Sequence, residues 1–345
     1  MRRILRAFPS SAAVAFFREI GVSLHEEAGG KLFPDTNRSR DVLDALLRET
    51  GRVGATIESG RRVLDVVRAT SANGEFIVTT ATGDLPARAV VLATGGQSLP
   101  KTGSDGAGFG IARRLGHTIV EPTPALAPLL LNGDDLPREL SGVAQDVELA
   151  IWIDGRIAVR LRGAILWTHF GVSGPVALDA SRHWHRAQID SHRVAITINF
   201  RPGARFDDVE ADWTRQAAEH PRASVQTSLA TMMPASAAAA LLHRLGIDGS
   251  EALAHFSRDA RRRLSRALVE WPLPVTGSRG YNFAEATAGG VALTEIDPST
   301  MGSRICSGLY LVGEMLDVDG RIGGFNFQWA WSTGYVAGRG IAAAI

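Results

Sequence analysis

The residues best placed to do chemistry lie near the end of the sequence. Glu314 follows Gly313 at the close of a short apolar run, 308–312. Asp317 comes next, then the pair Gly323-Gly324. Phe325, Asn326 and Phe327 then open an Ala-, Ser- and Gly-rich stretch, 325–337, with helical spacing. A carboxylate just past a strand's end can accept hydrogen bonds from the hydroxyls of a bound molecule. Paired glycines let the main chain approach that molecule, and a helix starting there aims N–H groups and a partial positive charge at it. Such a site suits a ring that gathers negative charge on reduction, as a flavin does around N1 and O2.

A second cluster, Ala93-Thr94-Gly95-Gly96, sits at the exit of another apolar run, 88–93. With the runs 62–69 and 75–80 and turns at 72–74 and 82–84, it reads as a three-stranded β-meander. The meander delivers its last strand to a glycine pair, where backbone can meet the phosphates or adenosine of a dinucleotide. Other motifs carry less. Gly106-Ala107-Gly108-Phe109-Gly110 has its third glycine at the wrong spacing for a dinucleotide fingerprint. Gly171-Val172-Ser173-Gly174-Pro175 lacks the last glycine of a nucleophile elbow, and its proline suits the first turn of a helix. His169, in the same loop, has the chemistry of a proton donor to a reduced substrate, although a hydrogen-bonded structural histidine is the commoner role. Lys101 and Lys31 are the only lysines in an arginine-rich chain, which singles out the Lys101 amine. His183, His185 and His192 lack a carboxylate at metal-site spacing and read as a loop cluster. The arginine run 258–266 could meet RNA, but reads as the solvated face of a helix.

The rest of the sequence must position these groups. At 345 residues, 45% hydrophobic and 21% charged, the chain can bury the cores of two or three domains. A net charge of +1 argues against nucleic-acid or membrane binding by bulk charge, and no apolar run approaches the length of a membrane span. The single cysteine, Cys306, excludes an intrachain disulfide, so a cytoplasmic protein without a metal centre is expected. Helices are expected over 11–20, capped by serine and closed by Gly21, over 39–50, ended by Gly51, and over 106–115. Residues 29–34 read as a loop. Strands dominate 121–202, among them 147–153, 156–160 and 194–200, and 206–269 reads as all helix. The expected domains are 1–120 with 284–345 for the cofactor, 121–202 with 270–283 as an inserted β-rich domain, and 203–269 as a helical subdomain within it.

Together with Leu99-Pro-Lys-Thr-Gly103, Gly116-His117, Thr168-His-Phe-Gly-Val-Ser-Gly-Pro175 and Ala288-Gly-Gly-Val291, these motifs make the chain resemble the BaiN/YhiN-like (HI0933-like) flavoprotein family of NAD(P)/FAD-dependent oxidoreductases. The resemblance runs from Phe8 onward. It implies an α/β fold: a Rossmann-like FAD domain of the two-dinucleotide-binding type, an inserted β-barrel domain and a small helical domain nested in it. It implies non-covalent FAD at the turn Thr94, Gly95 and Gly96, at the strand end Gly313 and Glu314 with Asp317, and at the helix start Gly323, Gly324, Phe325, Asn326 and Phe327. Val63 is the implied backbone partner of adenine. NAD(P)H is the implied transient donor and a small organic molecule the acceptor, reduced as by an enoyl or dienone reductase, with neither nucleic acid nor membrane as a partner. Proteins of this family open with a strand and a Gly-x-Gly-x-x-Gly helix start, and this sequence reads as one that begins after them. A first βαβ segment missing from the sheet would weaken FAD binding, which leaves open a flavin-free remnant of the fold; the arginine run 258–266 leaves open a second alternative, an RNA-binding module.

Overall fold

Helix α1, Arg2–Ala7, and helix α2, Ser10–Glu19, open the computed structural model, which describes residues 1–27, 30–69, 76–132 and 136–344. Pro9 precedes α2 as its N-cap, so the expected serine cap is not made; the left-handed Gly21 follows the helix as anticipated. The stretch expected as a loop holds a hairpin instead. Strand β1, Leu24–Glu27, pairs antiparallel with β2, Lys31–Pro34. Its acidic residues and terminal proline conceal the alternation that marks a strand. Helix α3, Ser39–Arg52, runs through the expected stop at Gly51, and the left-handed turn comes at Gly54.

The meander exists but with a different third strand. Strand β3, Val63–Arg68, pairs with β4, Phe76–Thr80, which pairs with β5, Gly83–Ala87. The turn expected at 72–74 lies outside the described residues. Gly83-Asp-Leu-Pro-Ala87 has a composition that disfavours strands, yet β5 is an edge strand, where a proline's missing N–H goes unneeded. The run at 88–93 becomes β6, Val90–Leu92, which belongs to another sheet. Helix α4, Ala107–Arg114, and β7, Ile119–Ala125, follow.

Residues 123–285 form a compact unit of their own. Its strands are β8 (Leu129–Leu131), β9 (Ala144–Ile153), β10 (Arg156–Thr168), β11 (Gly171–Ser173), β12 (Val194–Asn199), β13 (Trp271–Leu273) and β14 (Val275–Ser278). Helices α5 (Leu136–Glu139), α6 (Pro175–Ile189), α7 (Phe206–Glu219), α8 (Val225–Ala230), α9 (Ala235–Leu245) and α10 (Arg258–Val269) fall among them. The strands order as β13-β12-β9-β10-β11-β8-β14, with all neighbours antiparallel. The two edge strands are consecutive in the chain, joined through Pro274 alone, so the sheet must curl until its edges meet. Its inner face packs Leu149, Ile151 and Ile198 into the same core as Trp213, Leu229, Leu241 and Leu268 of the helices. His183 and His185 lie on α6 rather than in a loop. On α10, Leu264 and Leu268 face the core while Arg262, Arg263 and Arg266 stay exposed, giving an amphipathic helix with a solvated face.

The chain then returns to the first unit, Met1–Pro122 with Ala286–Ile345. Strand β15, Ala286–Val291, pairs with β7. Strand β16, Leu309–Leu311, lies parallel to β6 in the register Leu309↔Val90 to Leu311↔Leu92. It is buried throughout, as befits a parallel strand covered on both faces. Helix α11, Phe325–Ala344, outruns its expected end because Ala and Ile after Gly340 keep the helix going. Leu92, Phe109, Leu311, Val312 and Trp329 fill the core between these elements. Among the described residues no helix is long and apolar enough to cross a membrane, and no group of three or more His, Cys, Asp or Glu side chains could hold a metal.

One polar cluster stiffens the second unit's sheet. Glu148 on β9, 3% exposed, accepts hydrogen bonds from Arg160 Nη1 at 2.7 Å and Arg162 Nε at 2.6 Å, both on β10. Burial pushes its carboxyl up, but the bonds and charges of Arg162 and Arg160 outweigh that and hold it below the ordinary carboxylate range. A lowered pKa gives stability that is present above the unfolded value and lost as pH falls through the folded one. Glu148→Gln should therefore cost about 1–3 kcal/mol near neutrality and shrink the acid-induced loss. Urea titrations at pH 7 and pH 4 check both; equal midpoints for the two proteins at pH 7 would contradict the assignment.

Candidate cofactor and active site

Because β6 and β16 are parallel neighbours, their C-terminal ends open on the same side, which is where open α/β sheets bind ligands. Thr94-Gly95-Gly96 leaves β6 there and Gly313-Glu314 leaves β16. The carboxylate of Glu314 ties the two exits to β15: Oε2 accepts the Gly96 N–H at 3.1 Å and Oε1 the Thr287 N–H at 2.6 Å. Thr287 is fully buried and works in the opposite direction. Its Oγ1 accepts the N–H groups of Gln97 at 2.8 Å and Ser98 at 3.2 Å. The contact is so close that a Cβ on Gly96 would lie 2.3 Å from that oxygen, so only glycine fits. Helix α11 fixes the other flank of Glu314. Trp329 Nε1 donates to Gly313 O at 3.0 Å, and Thr333 Oγ1 accepts the Gly313 N–H at 2.9 Å.

The start of α11 faces a cavity of about 770 Å³ in the first unit, within the size range of small-molecule sites. Its walls are mainly apolar: Leu5, Ala13, Val14 and Phe17 from α1 and α2, Leu24 and Leu32 from the hairpin, Val42 from α3, and Trp331. Phe8 locks the first wall to α11, since its carbonyl accepts from Gln328 Nε2 and Ser332 Oγ, each at 2.8 Å. Gly323 and Gly324 hold φ of 125° and 83°, conformations that L side chains rarely adopt, and a Cβ on Gly324 would meet nothing within 4 Å. Main chain thus borders the open space directly. The first N–H groups of a helix lack intrahelical acceptors, and in α11 the Gln328 N–H reaches back to Gly324 O at 3.0 Å.

Most of the expected cofactor contacts therefore converge in one unit. The side chain of Asn326 is committed locally, Oδ1 accepting the Gly320 N–H at 2.6 Å, which leaves its main chain for a ligand. Phe325 carries the Arg321 guanidinium over its ring, and Phe327, 67% exposed, stacks on Trp331. Asp317 is anchored by its N–H to Val291 O at 2.9 Å. Val63 stands on the edge strand of the meander, and Lys101 is exposed on the turn after Leu99. His169 belongs to the second unit, exposed, with its ring edge-on to Phe170. The residues fit a flat ring with a polar extension. A ring would meet an apolar cavity bordered by main chain, and the buried Ser104 Oγ, without a hydrogen-bond partner among the described residues, sits against Gly95 at the other glycine turn.

Thr287 escapes a reading of the sequence because its partners Gln97 and Ser98 are distant in the chain. So does a Ser303–His117–Glu295 array, with Ser303 Oγ 2.9 Å from His117 Nε2 and His117 Nδ1 2.8 Å from Glu295. It has the connectivity of a hydrolase triad, but Ser303 Oγ also accepts the N–H groups of Ile305 and Cys306, so its lone pairs serve a turn rather than a nucleophile.

A parallel strand pair ending in a glycine turn and a carboxylate, beside a helix start that faces an apolar cavity, defines a Rossmann-like cofactor enzyme. Residues 1–340 match the family described as HI0933-like protein Rossmann domain, and the chain belongs to this family of flavoprotein oxidoreductases. It is similar to a 3-dehydro-bile acid delta(4,6)-reductase of Clostridium scindens, with 31% identity covering 99% of this chain and 82% of that one. It is also similar to ribosomal RNA dihydrouridine synthases of Haemophilus influenzae, with 29% identity over 95% and 79% of the two chains, and of Escherichia coli, with 30% over 94% and 77%.

Two outcomes follow from the carboxylate hub. Thr287→Val keeps the shape but strands the Gln97 and Ser98 N–H groups, and should cost about 1–3 kcal/mol, read as a urea midpoint; Thr287→Ser should recover most of the loss. Burial pushes the Glu314 carboxyl above its ordinary range, against the pull of the Thr287 and Gly96 N–H groups. A raised pKa gives stability that is full below the unfolded value and declines as pH rises through the folded one. Wild type should show that decline above the ordinary carboxylate range and Glu314→Gln should not; identical pH profiles would contradict the role given to this group.

Proposed function

We propose that this chain holds FAD non-covalently and reduces a carbon–carbon double bond conjugated to a carbonyl group, with NAD(P)H as the donor. The observation that carries the reading is the apolar cavity at the start of α11, bordered by Gly323 and Gly324. Similarity supports the reaction type. One relative is named for reducing the double bonds of a 3-oxo bile acid, and two for converting uridine in RNA to its dihydro form. Both names describe hydrogen added across a double bond conjugated to a carbonyl, and both substrates are anions, a carboxylic acid and a phosphodiester chain. An anionic conjugated carbonyl compound is therefore the proposed acceptor.

A flavin, if bound at the cavity, would supply the hydride. The residues supply the setting. Phe17, Leu24, Leu32 and Trp331 exclude water, which strengthens every electrostatic interaction inside. The N-terminus of α11 places N–H groups and a partial positive charge where negative charge accumulates. Glu314 keeps the strand ends in register with that helix. The reduction is completed by a proton from a general acid, a role for which His169, exposed and without a hydrogen-bond partner among the described residues, has the chemistry.

Purified protein should show the absorbance bands of an oxidised flavin that bleach on addition of NADH or NADPH. Gly324→Val should slow that bleaching, followed by stopped flow, more than it lowers the melting temperature, because the new side chain projects into the space the ring would take. Bleaching at the wild-type rate with both donors would reduce the glycine pair to an ordinary helix start.

A further inference from the structure

One cation in the second unit, Arg279, lies over two aromatic rings. Arg160 and Arg162 are paired with Glu148, Arg201 and Arg215 with Asp212, Arg244 with Glu139 and Arg261 with Glu210. Among the described residues the half-buried guanidinium of Arg279 has no ion pair and no hydrogen bond. Its central carbon lies 3.3 Å from the centre of the Phe283 ring and 4.7 Å from that of Phe170. Stacking uses the flat face of the ion. Its N–H donors lie in the plane, so their fork stays available at the edge.

The main chain around it is fixed at several points. The Arg279 N–H donates to Pro128 O at 2.9 Å. Ser278 Oγ accepts the Gly280 N–H at 3.1 Å and lies 2.7 Å from His185 Nε2, on α6. A short turn, Tyr281–Phe283, then brings the Phe283 ring over the guanidinium. Phe170 follows His169, whose ring stands 5.1 Å away from its own, edge-on. An oriented guanidinium with no counter-charge among the described residues, on two aromatic shelves of which one, Phe170, adjoins the exposed His169, is a preorganised fork for a planar or tetrahedral oxyanion.

We propose that Arg279, stacked on Phe283 and Phe170, binds an oxyanion ligand, a carboxylate or a phosphate, through the free edge of its guanidinium; the choice of probes rests on the reading of the acceptor as an anionic conjugated carbonyl compound. The lack of a protein carboxylate partner is what makes room for that ligand. Lysine in its place would keep the charge but lose both the stacking and the two-pronged geometry.

Calorimetric titration of the protein as purified, with two matched pairs of probes, tests this. One pair is uridine 5′-monophosphate and uridine; the other is a 3-oxo-4-ene bile acid and its methyl ester. The charged member of at least one pair should bind about tenfold or more tightly than its neutral twin, and the pair that shows the preference distinguishes phosphate from carboxylate. Arg279→Ala and Arg279→Gln should abolish the preference while leaving the neutral member's affinity within about twofold, and Arg279→Lys should retain only part of it. A merely structural role would weaken both members of a pair together. Equal binding of charged and neutral members in both pairs, or a preference that survives in a folded Arg279→Gln, would overturn the proposal. If the preference depends on Arg279 but no acceptor is reduced, the reductase reading fails and the anion site stands; if acceptors are reduced while charged and neutral members bind alike, the reverse holds.

Discussion

The carboxylate of Glu314 accepts N–H groups from the turn that leaves β6 and from β15, while its neighbour Gly313 is gripped on both sides by α11. The exits of β6 and β16, strand β15 and helix α11 thus meet at the Gly313-Glu314 pair. A carboxylate this withdrawn from water stays costly unless its oxygens are satisfied, and two main-chain donors satisfy them. The same bonds set the distance between the glycine turn Thr94-Gly95-Gly96 and the helix that begins at Phe325. A ligand reaching from one to the other would meet walls whose separation is fixed before it arrives, which is what keeps binding energy from being spent on ordering the protein.

Around that hub the first unit assigns tasks by chemistry. Apolar side chains of α1, α2, the β1–β2 hairpin and α3 close a cavity, and at its edge the main chain of Gly323 and Gly324 stands beside Asp319 and Arg321. Such a lining suits a ring whose charge changes during turnover, since oriented dipoles stabilise the charged form without needing to reorganise. The second unit offers different groups. Its sheet is stiffened by an ion-paired carboxylate, and Arg279 and His169 stand in neighbouring loops without polar protein partners among the described residues. Unpaired polar groups on a rigid frame are the usual mark of a surface that meets a ligand.

How much of this the sequence disclosed depended on how local each feature is. The turn at Thr94-Gly95-Gly96, the strand end at Gly313-Glu314 and the glycine pair before Phe325 were legible because glycine and an acid at strand ends have a local physical meaning. The nature of the ring came from the family resemblance, which the match across residues 1–340 supports at the level of the family. Strand β5 was hidden by its Gly, Asp and Pro, which an edge position tolerates. The β1–β2 hairpin was hidden by charged residues in a short, mostly exposed ribbon. Thr287 and Arg279 gave no local sign at all. The first finds its partners 190 and 189 residues away, and one of the second's two aromatic shelves lies more than a hundred positions upstream. Pairings of that range are products of the fold and leave no periodicity in the chain.

The central claim is that the glycine-bordered start of α11 and the turn after β6 are two ends of one cofactor site. Amide hydrogen exchange, compared with and without added FAD, addresses it most directly. The account predicts slowed exchange concentrated at residues 94–97 and 320–328, with little change on the outer face of α3 or on α10. Slowing confined to other segments, or none at either of those two while FAD is bound, would contradict it.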